Sequence, residues 1–176
     1  METSLGERRV SATPETVKKL NKIGCEVFVQ QSAGELSGFK DFSYVESGGQ
    51  IINENTENVW QQADIIFCVQ CPDEENLNRL KEGSLLVGLL NPFGNTKLSE
   101  ILIKKKVSAI SLELLPRISR AQSCDALSSQ ANIAGYKSVL LAASELDRYF
   151  PMLMTAAGTV QPAKVVVLGG GVAGLQ

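Results

Sequence analysis

Apolar positions recur along the chain in two alternating rhythms. Val17, Leu20 and Ile23 keep the three-to-four spacing of one helix face. Thr13 and Pro14 precede that stripe as cap and first helical residue, and Gly24 follows it as a stop. The pattern therefore predicts a helix from Thr13-Pro14-Glu15 to about residue 23. Residues 26–30 read as a strand, 42–46 as a short helix ending at Gly48-Gly49, and 50–53 as a short strand. Unbroken apolar runs at 65–69 and 84–90 predict buried strands, and Pro72-Asp73-Glu74-Glu75 opens a polar helix through residue 80. Residues 96–106 form an amphipathic helix with Leu98, Ile101 and Leu102 inward, and 107–112 returns to strand.

Strands that are apolar throughout, separated by single helices, predict a parallel sheet covered on both faces. The fold class is α/β: a doubly wound, Rossmann-like lobe. A long helix rich in Ala, Ser and Leu follows over 123–148, then a loop with Gly158 and Pro162. Lys164-Val165-Val166-Val167-Leu168 is expected to open a second parallel strand system. The organisation is a first lobe over 1–122, a linker helix over 123–148, and the start of a second Rossmann lobe over 149–176.

Composition narrows the function classes. The length of 176 residues allows one domain or one plus a fragment. Seventeen basic and nineteen acidic residues give a net charge of -2, which speaks against nucleic acid as a partner. The chain has no histidine, so it holds neither a histidine-based triad nor a histidine-containing zinc site. No apolar run approaches the ~20 residues of a membrane helix, and the first ten residues lack a signal-peptide core. The expectation is an intracellular, soluble protein. Cys68-Val-Gln-Cys71 straddles a strand end with no second ligand pair, so its cysteines read as buried or half-buried free thiols. Lys104-Lys105-Lys106 reads as the solvated last turn of a helix.

Two stretches carry chemistry. Gly169-Gly170-Gly171-Val172-Ala173-Gly174 is G-x-G-x-x-G, directly after a strand-like run and where a helix should open. Gly169 allows a tight turn, Gly171 lets backbone approach a pyrophosphate, and Gly174 lets the helix pack closely. The opening turn through Val172 and Ala173 offers N–H groups to the phosphates. The reading is dinucleotide binding. The second stretch runs from Pro116 to Ser129 and contains Arg117, Arg120, Gln122, Asp125 and Ser128. It follows the last strand of the first lobe, where loops form α/β ligand sites. A helix opening near Ser123 would let Gln122, Asp125 and Ser128 share a face. It could equally be an ordinary helix start, with Ser123 as cap and Asp125 paired to Arg117 or Arg120. The pattern alone leaves both readings open.

The residues Pro116-Arg-Ile-Ser-Arg-Ala-Gln-Ser123, Asp125-Ala-Leu-Ser-Ser129 and Asn132-Ile-Ala-Gly-Tyr136 resemble the alpha subunits of proton-translocating NAD(P) transhydrogenases. That family belongs to the alanine dehydrogenase/transhydrogenase superfamily. The likeness extends to Thr155-Ala-Ala-Gly158, the glycine motif with Gly174-Leu-Gln, and Glu7-Arg-Arg-Val-Ser-Ala-Thr-Pro14. It implies an NAD(H)-binding component of two lobes. This component docks on an NADP(H)-binding beta subunit and works with a membrane-spanning component. Hydride passes directly between the two nicotinamides, coupled to proton translocation. By the same resemblance Arg117, Gln122, Asp125 and Ser128 hold the nicotinamide, while Gly169, Gly171 and Gly174, with Val172 and Ala173, receive the pyrophosphate. It implies a homodimer, cytoplasmic and peripheral on the inner face of a bacterial inner membrane.

Direct hydride transfer needs orientation and a dry site rather than a general acid or base, which suits a chain without histidine. An alanine-dehydrogenase-like activity is the alternative within the superfamily. There a lysine and a histidine accompany the arginine matching Arg9; here Gln70 and Asn91 stand in their places. A third reading is a non-catalytic lobe serving as an interaction or dimerisation module. The resemblance also implies a first strand ahead of Glu2-Thr-Ser-Leu-Gly-Glu-Arg-Arg9, ending where Met1 sits, and most of a nucleotide lobe after residue 176. The 176 residues alone are therefore expected to bind NADH weakly or not at all. Tight stoichiometric binding in a calorimeter is the result that would sink that expectation.

Overall fold

The structure is a computed structural model that describes residue 2 and residues 4–53 and 59–176. Met1 and Thr3, which fall in the opening segment, lie outside the described residues. The chain divides into two compact units, residues 1–116 and 117–176.

In the first unit, helix α1 (Pro14–Lys22) begins where Thr13 Oγ1 accepts the Thr16 N–H at 3.3 Å, with proline in the first turn. It ends at Ile23, and Gly24 takes a left-handed φ of 90°. Strand β1 (Phe28–Gln30) pairs in parallel with β2 (Gln50–Ile52), Phe28 opposite Gln50. Helix α2 (Asp41–Glu46) connects them after a 3₁₀ turn at Glu35–Ser37. Val17, Val29 and Tyr44 form the core here, and the Tyr44 hydroxyl donates to the Ala12 carbonyl at 2.9 Å. A buried phenol needs such a partner.

The larger ladder is three parallel strands in the order β3 (Ile65–Gln70), β4 (Leu85–Leu89), β5 (Ser108–Ser111). Ile65 lies opposite Leu85, and Leu85 opposite Ser108. One-turn helix α3 (Val59–Gln62) precedes β3, while α4 (Glu74–Arg79) and α5 (Thr96–Lys105) make the crossovers. Asp73 and Asn95 cap those two helices through their side chains. Leu77, Leu80, Leu86, Leu90, Leu98 and Val107 close the core, with Trp60 and Ile66 against it. Cys68 and Cys71 also pack on this core as free, half-buried thiols. Burial pushes the Cys68 thiol up to about 12 and raises that of Cys71. A thiol so shifted stays protonated and inert.

The second unit opens with a 3₁₀ run at Ser119–Cys124 and continues as the 20-residue helix α6 (Ala126–Glu145). Strands β6 (Leu153–Thr155) and β7 (Gly158–Val160) form an antiparallel hairpin, and α7 (Val172–Leu175) follows. Among the described residues, no helix is long and apolar enough to cross a membrane.

The α/β class with parallel strands stands, but several elements differ from their expected form. The first unit holds two separate parallel ladders, because no pairing joins β1 to β3 among the described residues. The helix expected from 123 starts at Ala126, since 119–124 tighten into 3₁₀. The stretch 149–162 is not only loop but contains the hairpin. Residues 164–168 do not form a strand: they pair with nothing in any described ladder. A strand exists only through its neighbours, so an apolar sequence is not sufficient. Val166 stands 81% and Leu168 94% exposed as a result.

Candidate functional site

The expected nicotinamide residues lie at the start of the second unit. Asp125 caps α6 with both carboxylate oxygens engaged on one residue. Oδ1 accepts the Ser128 N–H at 2.9 Å, and Oδ2 accepts the Ser128 hydroxyl at 2.6 Å. The Asp125 carbonyl takes the Ser129 N–H and hydroxyl at 3.3 and 3.1 Å. These bonds to Ser128 hold the Asp125 carboxyl below its usual range, and the positive charge of Arg117 acts in the same direction. Asp125 is thus ionised and fixed in one rotamer, with Ser128 as its partner. Ser123 is not the cap, contrary to the helix-start reading; its hydroxyl lies 3.8 Å from Cys124 Sγ. Gln122 joins the group through its carbonyl, which accepts the Asp125 N–H at 3.3 Å. The Arg117 and Gln122 side chains are exposed. The structure brings Asp125 and Ser128 together and leaves these two at the surface of the same turn.

The glycine motif behaves as close packing requires. Gly169 sits at φ 108°, in the region that favours glycine. A Cβ on Gly174 would lie 2.0 Å from the Gly169 carbonyl oxygen, so this turn tolerates no side chain there. A Cβ on Gly171 would meet nothing within 4 Å. Open space next to Gly171 backbone is what a phosphate group would fill. Val172 and Ala173 form the first turn of α7, and the Leu175 N–H donates to the Gly171 carbonyl at 2.9 Å.

The first unit holds a second polar cluster, at the C-terminal ends of its strands. Glu7 Oε1 accepts Arg9 Nε at 2.8 Å and Arg9 N at 2.9 Å, and Oε2 accepts Arg9 Nη2 at 2.6 Å. Gln70 Nε2 donates to Glu7 Oε2 at 3.0 Å. The Arg9 guanidinium is the main cause that lowers the Glu7 carboxyl to about 2, with Gln70 assisting against the opposing effect of burial. Glu2 accepts the Val69 and Gln70 N–H groups at 2.7 and 3.1 Å. Glu113 does the same after β4, for the N–H groups of Leu90 and Asn91. Asn91 is held there at a left-handed φ of 47°. Sequence reasoning missed these carboxylates, because their partners stand 22 to 68 positions away. Only the local Glu7-x-Arg9 spacing offered a signal.

The family described as "Alanine dehydrogenase/PNT, N-terminal domain" matches residues 1–134, and its "C-terminal domain" counterpart matches 138–176. The chain belongs to the alanine dehydrogenase/PNT family. Among curated relatives it is 47% identical, over 176 residues, to an NAD(P) transhydrogenase subunit alpha chain of Rhodospirillum rubrum, covering 97% of this chain and 46% of that protein. It is 45% identical to the NAD(P) transhydrogenase subunit alpha of Haemophilus influenzae, covering 96% of this chain and 32% of that one. The crystal structure of transhydrogenase from Sinorhizobium meliloti superposes with a TM-score of 0.91 at 40% identity, over 99% of this chain and 52% of that one. Alanine dehydrogenase from Staphylococcus saprophyticus is more distant, at 34% over 96% of this chain and 45% of its own length. The chain thus spans between a third and a half of the length of these family members.

Proposed function

We propose that this chain is a portion of the NAD(H)-binding component of a proton-translocating NAD(P) transhydrogenase. The observation that carries the reading is a fixed, ionised Asp125–Ser128 pair and a glycine turn on one compact unit, in a chain that is 47% identical to a transhydrogenase alpha subunit. Arg117, Gln122, Asp125 and Ser128 hold the nicotinamide end of NAD(H). Gly169, Gly171 and Gly174, with the Val172-Ala173 turn, receive the pyrophosphate. The bound nucleotide supplies the hydride chemistry. The residues of this chain supply orientation, and no proton donor is required of them. A carboxylate tied by two bonds to one serine is a rigid acceptor for a carboxamide N–H, and it stays charged across neutral pH.

The partners on this reading are an NADP(H)-binding beta subunit, a membrane-spanning component, and a second copy of the chain in a homodimer. The component lies at the cytoplasmic face of the membrane. A first lobe over 1–122, a linker helix over 123–148 and the start of the nucleotide lobe from 149 remain the working division. Amino-acid dehydrogenation is the weaker reading. Gln70 is engaged by Glu7, and Asn91 contributes its backbone to Glu113, so neither position offers a proton acceptor.

The test is Asp125→Asn in the full-length protein assembled with its NADP(H)-binding partner. Asparagine preserves the cap but removes the charge. Hydride transfer to an NADP(H) analogue should fall by about tenfold or more, with an unchanged circular dichroism spectrum. Unchanged transfer would return Asp125 to a purely structural role.

A further inference from the structure

One helix connects the Asp125–Ser128 pair to the glycine turn. Ser128, Asn132 and Gly135 follow one another on α6 at steps of four and three, so they share a face. Among the described residues of α6, Gly135 alone is buried. A Cβ at Gly135 would lie 2.4 Å from the Ala173 carbonyl oxygen and 3.0 Å from Ala173 Cα. The backbones of α6 and α7 are therefore in direct contact at this point, closer than any side chain permits. One turn earlier, Asn132 Nδ2 donates to Gln176 Oε1 at 2.8 Å. The Ser138 hydroxyl donates to the Gly135 carbonyl at 2.7 Å, which gives the helix backbone an extra bond at the contact.

Glycine inside a helix costs about 1 kcal/mol relative to alanine, so its place in the middle of α6 needs a compensating contact. The contact with α7 is that compensation. Seven residues of helix separate Ser128 from Gly135, about 10 Å at 1.5 Å per residue. A ribose and a phosphate of a dinucleotide bridge a gap of that order between nicotinamide and pyrophosphate.

We propose that α6 acts as a ruler for NAD(H), and that Gly135 and Asn132 are positioning residues that seat the pyrophosphate turn at a fixed distance from the Asp125–Ser128 pair. This rests on the NAD(H) reading above. A methyl group at position 135 must displace Ala173. The turn moves with it, because Gly174 has no free space against Gly169. The loss then falls on the phosphate end of the ligand and leaves the nicotinamide end in place.

The probes are NADH and ADP-ribose, which keeps the pyrophosphate and lacks the nicotinamide. Both are titrated by calorimetry into the full-length protein. Gly135→Ala should weaken both ligands by the same factor, about tenfold or more, whereas Asp125→Asn should weaken NADH and leave ADP-ribose within about twofold. Asn132→Ala removes only an exposed amide, so it keeps the test open if Gly135→Ala does not fold. It should weaken both ligands by roughly threefold. Folding is followed by circular dichroism. The proposal is overturned if the folded variants bind ADP-ribose as the unmodified protein does, or lose NADH alone. If the unmodified protein binds neither probe, the NAD(H) reading itself fails and takes this inference with it. That outcome differs from an unmodified protein that binds both and variants that do so equally well.

Discussion

In residues 2–116, four helices each close a core with a side chain of their own: Val17 from α1, Tyr44 from α2, Leu77 from α4 and Leu98 from α5. In residues 117–176, the 20 residues of α6 bury only Gly135. There Ile133, Tyr136, Val139, Leu140 and Leu141 are all between 46% and 58% exposed. Yet the second unit carries the more specific ligand signatures, and the first carries nearly all of the interior. A ligand motif is a local property of a few residues and a turn. A core is a relation between segments far apart in the chain, and this one needs partners that α6 does not find within its own unit. A helix with apolar residues around much of its circumference is built to be surrounded.

The largest effect that tests this contrast is a core truncation. Leu86→Ala, at a position with no exposure, should lower unfolding free energy by about 3 kcal/mol, read from urea denaturation. Leu140→Ala on α6, with 46% exposure, should lower it by less than about 1 kcal/mol. Equal losses would break the comparison, since they would mean that α6 is covered in solution. A smaller effect comes from the Glu7–Arg9 pair of the first unit. The Glu7 carboxyl lies at about 2 when folded, below its ordinary 4.5. The pair therefore stabilises the protein fully above the ordinary value, and that contribution is lost as pH falls through about 2. Tm plotted against pH should fall more steeply between these values for the unmodified protein than for Glu7→Gln. Parallel curves would show that the pair stabilises nothing. The smallest effect belongs to the cap of α6. Asp125→Ala should lower Tm by about 2–4 °C, while Asp125→Asn should leave it nearly unchanged. A large drop for both would mean that the charge, rather than the cap geometry, holds the helix start.

The sequence made some of this legible, and the reasons are local. Thr13-Pro14 and Asp73 announce their helices because caps act within one turn. The strands at 65–70 and 85–89 are visible as apolar runs because both of their faces are covered. Residues 164–168 look the same on paper, but pairing, not composition, makes a strand. The β6–β7 hairpin escaped because three-residue strands around Ala156-Ala157 have no alternation to read. Helix α3, a single turn without a side-chain cap, escaped for a similar reason. At the site, Asp125 and Ser128 were legible as a spacing of three, while the engagement of both oxygens on one serine was not. Glycine at position 135 was a visible anomaly inside a helical stretch. Its partner, Ala173, lies too far along the chain for any pattern to find.

Glu2 and Glu113 have a mechanical consequence. Each clasps two successive N–H groups where a neighbouring strand leaves the sheet, Glu2 at the exit of β3 and Glu113 at the exit of β4. Glu113 itself sits just past the end of β5. The rim of the sheet is therefore a linkage of levers rather than a fringe of independent loops. A pull on the chain at residue 2 is delivered to the exit of β3, and a pull after β5 is delivered to the exit of β4. A spin label at either end of a clasp should report motion imposed at the other.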